Sequence, residues 1–347
     1  MASSVFSHLG AAGRTQAQLD DKARIELIKR DRWIDYPRAL QAMSRLEQLM
    51  ETPQRERMPC MVIHGESNIG KTLIIRKFQR DHPNSFDELR GIDQRHIVAM
   101  QMPATPDQHR FYSALLFELG APHSSSAGVS TLERLARDLL RRVAPRILIV
   151  DEVHHLLAGS YREQRAALNL LKYLANDLRL CIVLVGTADA RLALQSDAQM
   201  NSRFRPFELT RWQANDDFRR FLAAFERIIP LRRASDLAQR AIVEFVLAYS
   251  GGLTGEVARL LNESAQAAIL DKSEMIQAGS SGTCCQIERL SIGPGRRHPA
   301  HFMKKRWVAG WAALQRATGW VWRNWSRTMT CRFPFKRAGQ GGCCCHP

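Results

Sequence analysis

The chain has 347 residues, 45% hydrophobic and 24% charged, the balance of a soluble globular protein with one large or two modest cores. Its net charge of +16 is uneven: residues 278–347 hold 12 Lys or Arg against Glu288 alone, and residues 1–277 carry only +5. No apolar run approaches the roughly 20 residues that span a bilayer, and the opening MASSVFSHLGAAG lacks the charged start and apolar core of a signal peptide.

Residues 1–20 are small and polar and are expected to be mobile. From Asp21 to Met50 apolar residues recur at helical spacing, and Pro37 divides the stretch into two helices. Strands and helices then alternate. The expected order is CMVIH, a helix after Gly70, IVAMQM, helices near Phe111–Leu119 and Leu132–Arg142, RILIV, a long helix over Arg162–Asp177, CIVLVG and FELT. Five short apolar strands alternating with helices predict a parallel sheet covered on both faces. After Trp212 the strands stop, and Phe218–Ile229, Ala234–Tyr249 and Glu256–Leu270 read as three helices. The expected divisions are an N-terminal helical segment (1–50), an α/β domain (51–212), a helical lid (213–277) and a tail (278–347) outside the fold.

The tail differs in composition, with five of the seven tryptophans and six of the eight cysteines. It reads either as a basic, Trp-rich arm for nucleic acid or as sequence foreign to the fold, from a fusion or a shifted reading frame. None of its cysteines makes the C-x-x-C spacing of a zinc site. Cys60 and Cys181 lie singly in apolar runs and read as buried thiols, which fits a reducing cytoplasm. The expectation is a cytoplasmic protein away from membranes.

Residues 65–72 read G-E-S-N-I-G-K-T, a full match to the phosphate-binding loop G-x-x-x-x-G-K-[ST]. Phosphate needs converging backbone N–H groups, which the bends at Gly65 and Gly70 supply, and a helix whose positive end faces the anion. The nucleotide-binding set is Gly65, Glu66, Ser67, Asn68, Ile69, Gly70, Lys71, Thr72 and Leu73, with Lys71 on the β- and γ-phosphates of ATP. The apolar strand R-I-L-I-V-D-E at 146–152 ends in two carboxylates at the sheet edge where ligands bind. Thr72 is expected to ligate Mg2+, Asp151 to hold it through water, and Glu152 to polarise the attacking water. These residues predict an ATPase.

Thr187 follows the strand CIVLVG and reads as a contact to the water or γ-phosphate, or as a helix N-cap. In N-S-R-F-R at 201–205, Arg203 and Arg205 precede the expected strand FELT. They read as fingers toward a neighbouring subunit's nucleotide, a role that raises turnover by about 10³–10⁵, or as loop residues. D-E-V-H at 151–154 also fits the D-E-x-H of helicases, but too few residues remain for a second RecA-like domain. Adjacent His154 and His155 lack zinc-site spacing.

An α/β core with these motifs and a helical lid has the outline of the AAA+ P-loop fold. W-I-D-Y-P-R-A at 33–39, R-M-P at 57–59, H-G-E-S-N-I-G-K-T, D-E-V-H-H-L and S-R-F-R-P-F-E-L together resemble the TniB family of transposition ATPases, relatives of TnsC and MuB. The resemblance runs from about Ala23 to Ile276. It implies ATP-dependent assembly, as ring or filament, on double-stranded DNA, and delivery of that DNA to a DDE transposase of the TniA kind with a TniQ-type targeting protein. It also implies DNA contacts in segments 103–110 and 124–131, where His109, Arg110 and Ser130 are the candidates; the alternative is that Ser130 or Thr131 caps the next helix. Gly255 stands where related lids carry an arginine, and Arg259 follows one turn later. Two other readings are a secretion-type AAA+ motor and an ATP-bound DNA scaffold with little hydrolysis.

Overall fold

Apolar side chains alternating along five strands fill both faces of one sheet, and this fixes where every other element packs. The computed structural model describes residues 6–277 apart from 89, 90, 106, 196 and 197. The strands are β1 (Cys60–His64), β2 (Ser85–Asp87), β3 (Ile92–Gln94), β4 (Ile97–Gln101), β5 (Ile147–Asp151), β6 (Cys181–Gly186) and β7 (Phe204–Glu208). β2 and β3 form a separate antiparallel hairpin. The other five are parallel in the order β4-β5-β6-β1-β7.

The helices are α1 (Ala11–Ala17), α2 (Asp21–Lys29), α3 (Pro37–Glu51), α4 (Lys71–Asp81), α5 (Gln108–Glu118), α6 (Val129–Val143), α7 (Tyr161–Asp177), α8 (Ala188–Gln195) and α9 (Ala198–Arg203). The last three are α10 (Asp216–Ile228), α11 (Arg240–Ser250) and α12 (Thr254–Leu270). Cys60, Val62, Leu148, Val150, Ile182 and Leu184 face one core, closed by Phe111, Leu132 and Leu171 of α5, α6 and α7. Met61, Ile63, Ile147, Ile149, Val183 and Val185 face the other, closed by Leu46, Ile74, Phe218 and Leu261 of α3, α4, α10 and α12. Each such buried chain contributes about 1.5–3 kcal/mol. The C-terminal helices thus share a core with the sheet.

The five expected strands and the break at Pro37, which is the first residue of α3, are present. Other expectations need correction. Residues 11–17 are helical: Gly13 lies so close to the Arg227 carbonyl that a Cβ would sit 2.7 Å from its oxygen, and Leu9 and Ala17 are buried. Composition alone hid this, because small residues that permit close backbone approach look like linker residues. The helix expected from Ala234 begins at Arg240, because the N–H groups of Ser235, Asp236 and Leu237 donate to the Glu226 carboxylate instead. The last strand begins at Phe204, three residues before FELT. α9 and the hairpin carry too few apolar residues for a periodic signal. The Trp- and Cys-rich tail lies outside the described residues. Among the described residues no single helix is long and apolar enough to cross a membrane.

One buried ion pair ties the first helices to the last. Arg24 of α2 is fully buried, and its two terminal nitrogens each donate to a Glu274 oxygen at 2.7 Å. Arg24 also donates to the Pro230 carbonyl at 3.0 Å and to Asp21 at 2.7 Å. Burial would raise the Glu274 carboxyl, but Arg24 and the Arg232 N–H overcome it and hold the group below its ordinary range. Removing one partner strands a buried charge, so Glu274→Ala should cost about 3–5 kcal/mol in urea unfolding. Because the folded carboxyl is depressed, its contribution is complete above the ordinary carboxylate range and is lost as pH falls through the lowered value. The difference in stability between the wild type and Glu274→Ala should therefore shrink on acidification.

Candidate functional site

The pairing of β1, β6 and β5 brings three strand ends to one edge of the sheet. His64 pairs with Gly186 and Val150 with Leu184, so the loop after β1, the residue after β6 and the carboxylates after β5 stand side by side. Gly65 donates to the Gly186 carbonyl at 3.3 Å, and a Cβ on Gly65 would lie 2.7 Å from the Leu209 carbonyl oxygen. Asn68 (φ 64) and Gly70 (φ 101) take left-handed backbone, which bends the loop back on itself before α4 begins. The first turn of α4 has N–H groups with no helical acceptor ahead of them, and they face the loop's concavity.

Lys71 is buried, and its Nζ donates to the carbonyls of Gly65 at 3.0 Å and Glu66 at 2.8 Å. Burial pushes its ammonium below the ordinary lysine range, while Glu152 and Asp151 pull it back up. The Thr72 hydroxyl donates to Asp151 Oδ2 at 2.9 Å. A Thr72 hydroxyl whose proton is given to Asp151 keeps a lone pair for an octahedral ion with bonds of about 2.0–2.1 Å. Asp151 stands where it would hold that ion through water, so the pair fits Mg2+ in donor chemistry. Asp151 Oδ1 accepts from the Glu152 N–H at 2.7 Å, which fixes the carboxylate's orientation. Glu152 has φ 55, its side chain turns outward, and its Oε2 lies 3.0 Å from Nδ1 of His154.

Thr187 sits half-buried between β6 and α8, with β6 lying between β1 and β5. It joins Lys71, Thr72, Asp151 and Glu152 at the same edge. Arg203 and Arg205 do not. Arg203 ends α9 and Arg205 is the second residue of β7, so the expected loop is a helix end and a strand. Both lie at the opposite edge of the sheet, one strand length of about 17 Å from the loop. There they share a cavity of about 460 Å³ with Arg55, Arg57 and Lys172, and among the described residues no acidic side chain lines it. Arg203 Nε donates to the Met58 carbonyl at 3.4 Å, while its Nη2 is buried without a hydrogen-bond partner.

His109 and Arg110 lie in the first turn of α5. His109 Nε2 is 3.1 Å from the Ala127 carbonyl, which brings them to the corner where α6 begins with Ser130 exposed near its start. Neither Ser130 nor Thr131 caps that helix: the N-cap is Gly128, and Thr131 lies inside the helix. The Arg110 guanidinium is already engaged by Thr105 and Asp107.

Several site residues carried no assignment in the sequence reading. Tyr36 packs 5.1 Å from Trp212 and 5.9 Å from Phe221, at the start of α4 beside Gly70 and Thr254. Burial pushes its hydroxyl up to about 12. Trp212 donates to Thr254 at 3.1 Å, and Arg211 pairs with Glu66 and donates to the Gly251 carbonyl. The W-I-D-Y-P and L-T-R-W strings were visible, but no spacing rule says that they meet.

A profile of the family described as bacterial TniB protein matches residues 24–214. No curated protein matches the chain. Among solved structures, the ORC1 protein of Aeropyrum pernix in complex with DNA is 14% identical with a TM-score of 0.52, covering 72% of this chain and 65% of its own. The ORC2 protein of the same organism, in ADPNP and ADP complexes, is 12% identical with a TM-score of 0.54, covering 80% and 73%. The Drosophila ORC bound to DNA is 15% identical with a TM-score of 0.50, covering 87% and 75%. This chain therefore spans less than two thirds of the Aeropyrum ORC1 chain. At these identities the likeness shows the fold, which is that of AAA+ P-loop ATPases.

Proposed function

The chain belongs to the TniB family, and from that premise we propose that it is an ATP-dependent DNA-binding transposition protein. It assembles on duplex DNA and hands that DNA to a DDE transposase of the TniA kind, in company with a TniQ-type targeting protein. The observation that carries the proposal is the Thr72–Asp151 contact at 2.9 Å beneath Lys71, in a chain of this family. Two of the structural relatives were solved on DNA and one with ADPNP, which supports nucleotide and DNA as ligands here.

In this reading residues 65–73 hold the phosphates of ATP, and Lys71 leaves the Gly65 and Glu66 carbonyls for the β- and γ-phosphates. Mg2+, held by Thr72 and Asp151, would neutralise charge on the phosphates. Glu152 turns from His154 to orient the attacking water, and Thr187 steadies the same water or the γ-phosphate. Arg203 and Arg205, a strand's length from their own loop, serve the nucleotide of the next subunit. The cationic cavity around them supports that reading. On the DNA side, His109, Arg110 and Ser130 would touch backbone phosphates without reading bases.

Lys71→Ala should lose ATP binding, and Glu152→Gln should bind ATP but turn it over about 10²-fold or more slowly; isothermal titration and phosphate release measure the two. Normal affinity in the first variant would remove the P-loop assignment, and normal turnover in the second the role of Glu152. For the trans reading, Lys71→Ala and Arg203→Ala chains are mixed. Each is inactive alone, and the mixture should regain turnover, because the first supplies fingers and the second supplies nucleotide. A mixture as inactive as its parts would sink the trans role.

DNA binding is measured on the full chain and on residues 1–277, with ATP analogue, ADP or neither, across a salt series. Removing the tail removes its basic residues, which bind any polyanion regardless of nucleotide. ATP-driven assembly aligns many weak contacts along one duplex. Residues 1–277 should thus bind tightly only with the analogue, with affinity falling about 0.9 log unit per log salt for each phosphate neutralised. Equal binding in all three states would leave an ATPase without a gated DNA function.

A further inference from the structure

The lid meets the phosphate-binding loop at Asn68, and the contact accounts for a glycine where related lids often carry an arginine. Gly255, the second residue of α12, donates its N–H to the Asn68 carbonyl at 2.9 Å. The N–H groups of a helix's first turn have no acceptor within the helix, so this bond satisfies one of them from outside. Asn68 Nδ2 donates to Glu256 Oε1 at 3.0 Å. The other Glu256 oxygen accepts from Arg259 at 2.7 Å, and Arg259 continues to Glu263 at 3.0 Å. Arg259, the nearest arginine along α12, is thereby spent within its own helix. The space that a side chain at 255 would need is taken: a Cβ there would lie 1.9 Å from Asn68 Oδ1.

We propose that Asn68 and Gly255 form a latch that transmits nucleotide occupancy of the loop to the lid, so that this lid senses ATP without an arginine. The inference rests on the nucleotide reading above. Asn68 is the fourth residue of the loop and holds left-handed backbone at φ 64. Phosphate gathers the loop's N–H groups around itself and so sets the direction of the Asn68 carbonyl and amide. Both of these already hold α12, so whatever orders the loop orders the lid. A second link runs beside it, where Arg211 joins Glu66 of the loop to the Gly251 carbonyl of the turn before α12. Beyond α12 the chain reaches Glu274, whose pair with Arg24 carries the movement into α2. Through their side chains Asn68 and Glu256 act as positioning residues that hold the lid against the loop, while the backbone of Asn68 belongs to the phosphate-binding set.

Gly255→Ala tests the side-chain half of the latch, because it displaces the Asn68 amide from Glu256 while keeping the backbone N–H that donates to the Asn68 carbonyl. The atoms in its way belong to the movable end of the Asn68 side chain, and alanine favours a helix over glycine. The variant should fold and still bind nucleotide while the Asn68–Glu256 bond is lost. Hydrogen exchange of residues 254–270 is followed in the full chain with no nucleotide, with MgADP and with Mg2+ plus a non-hydrolysable ATP analogue. In the wild type, protection of α12 should rise roughly fivefold or more on adding the analogue, the lower end of ordinary coupling between sites. Gly255→Ala and Glu256→Ala, which both break the Asn68–Glu256 bond, should cut that rise markedly, whereas Glu256→Gln, which keeps an acceptor for Asn68, should retain most of it. A full rise in both alanine variants would overturn the latch while leaving nucleotide binding in place. A wild type that binds no nucleotide in the same titration would remove the nucleotide reading itself, and the latch with it.

Discussion

The parallel pairing of β1 with β6 and of β6 with β5 is the constraint from which the site follows. Because β6 lies between the loop strand and the acidic strand, the two are separated by the width of one strand, and Thr72 on α4 reaches across to Asp151. A slip of one residue in either pairing would move a strand's side chains from one core into the other, exchanging Val62 for Ile63 or Val150 for Ile149. Apolar packing on both faces therefore protects the register, and the register protects the geometry of the carboxylate and hydroxyl. Asp151 and Lys71 tolerate burial because each is satisfied locally, by the Glu152 N–H and Thr72 in one case and by loop carbonyls in the other.

A second body is built around the other end of the chain. α10, α11 and α12 share a core with one sheet face, and α2 is clamped to them by Arg24 and Glu274. His8 and Arg232 add contacts from the same N-terminal stretch to the same lid region. Residues 6–29 thus belong physically with the last described helices. The aromatic group of Tyr36, Trp212, Phe218 and Phe221 lies where this body meets the start of α4, a joint made of ring packing more than of directional bonds.

How much of this was legible depends on how far each signal travels along the chain. The strands, the loop G-E-S-N-I-G-K-T and the acidic strand end were legible because their information is local: a period of two, a glycine pair, a carboxylate after an apolar run. The break at Pro37 was local in the same way. Helix α1 was missed because its stabilising contact is with Arg227, more than two hundred residues away, and its own residues are merely small. The start of α11 was missed because Glu226 competes for three N–H groups from outside the segment. Gly255 was visible as a departure from related lids, but its reason lies in Asn68, and only the fold brings the two together. Arg203 and Arg205 were recognisable as a pair, yet their distance from the loop is a property of strand direction that the residues do not announce.

That distance has a consequence for how the parts can work. A five-residue strand of about 17 Å separates the loop edge from the cationic edge, and no arginine side chain spans it from a fixed backbone at the far end. One copy of the chain therefore presents a phosphate-binding loop at one edge and a cavity lined by Arg55, Arg57, Arg203 and Arg205 at the other, with no acidic side chain lining it among the described residues. Guanidinium groups gathered in this way repel one another, a repulsion that water screens at the surface and that an anion relieves. In the proposed function the triphosphate carried by one copy supplies that anion to the far edge of another, which couples assembly to turnover, because the group that relieves the repulsion is the group that reacts.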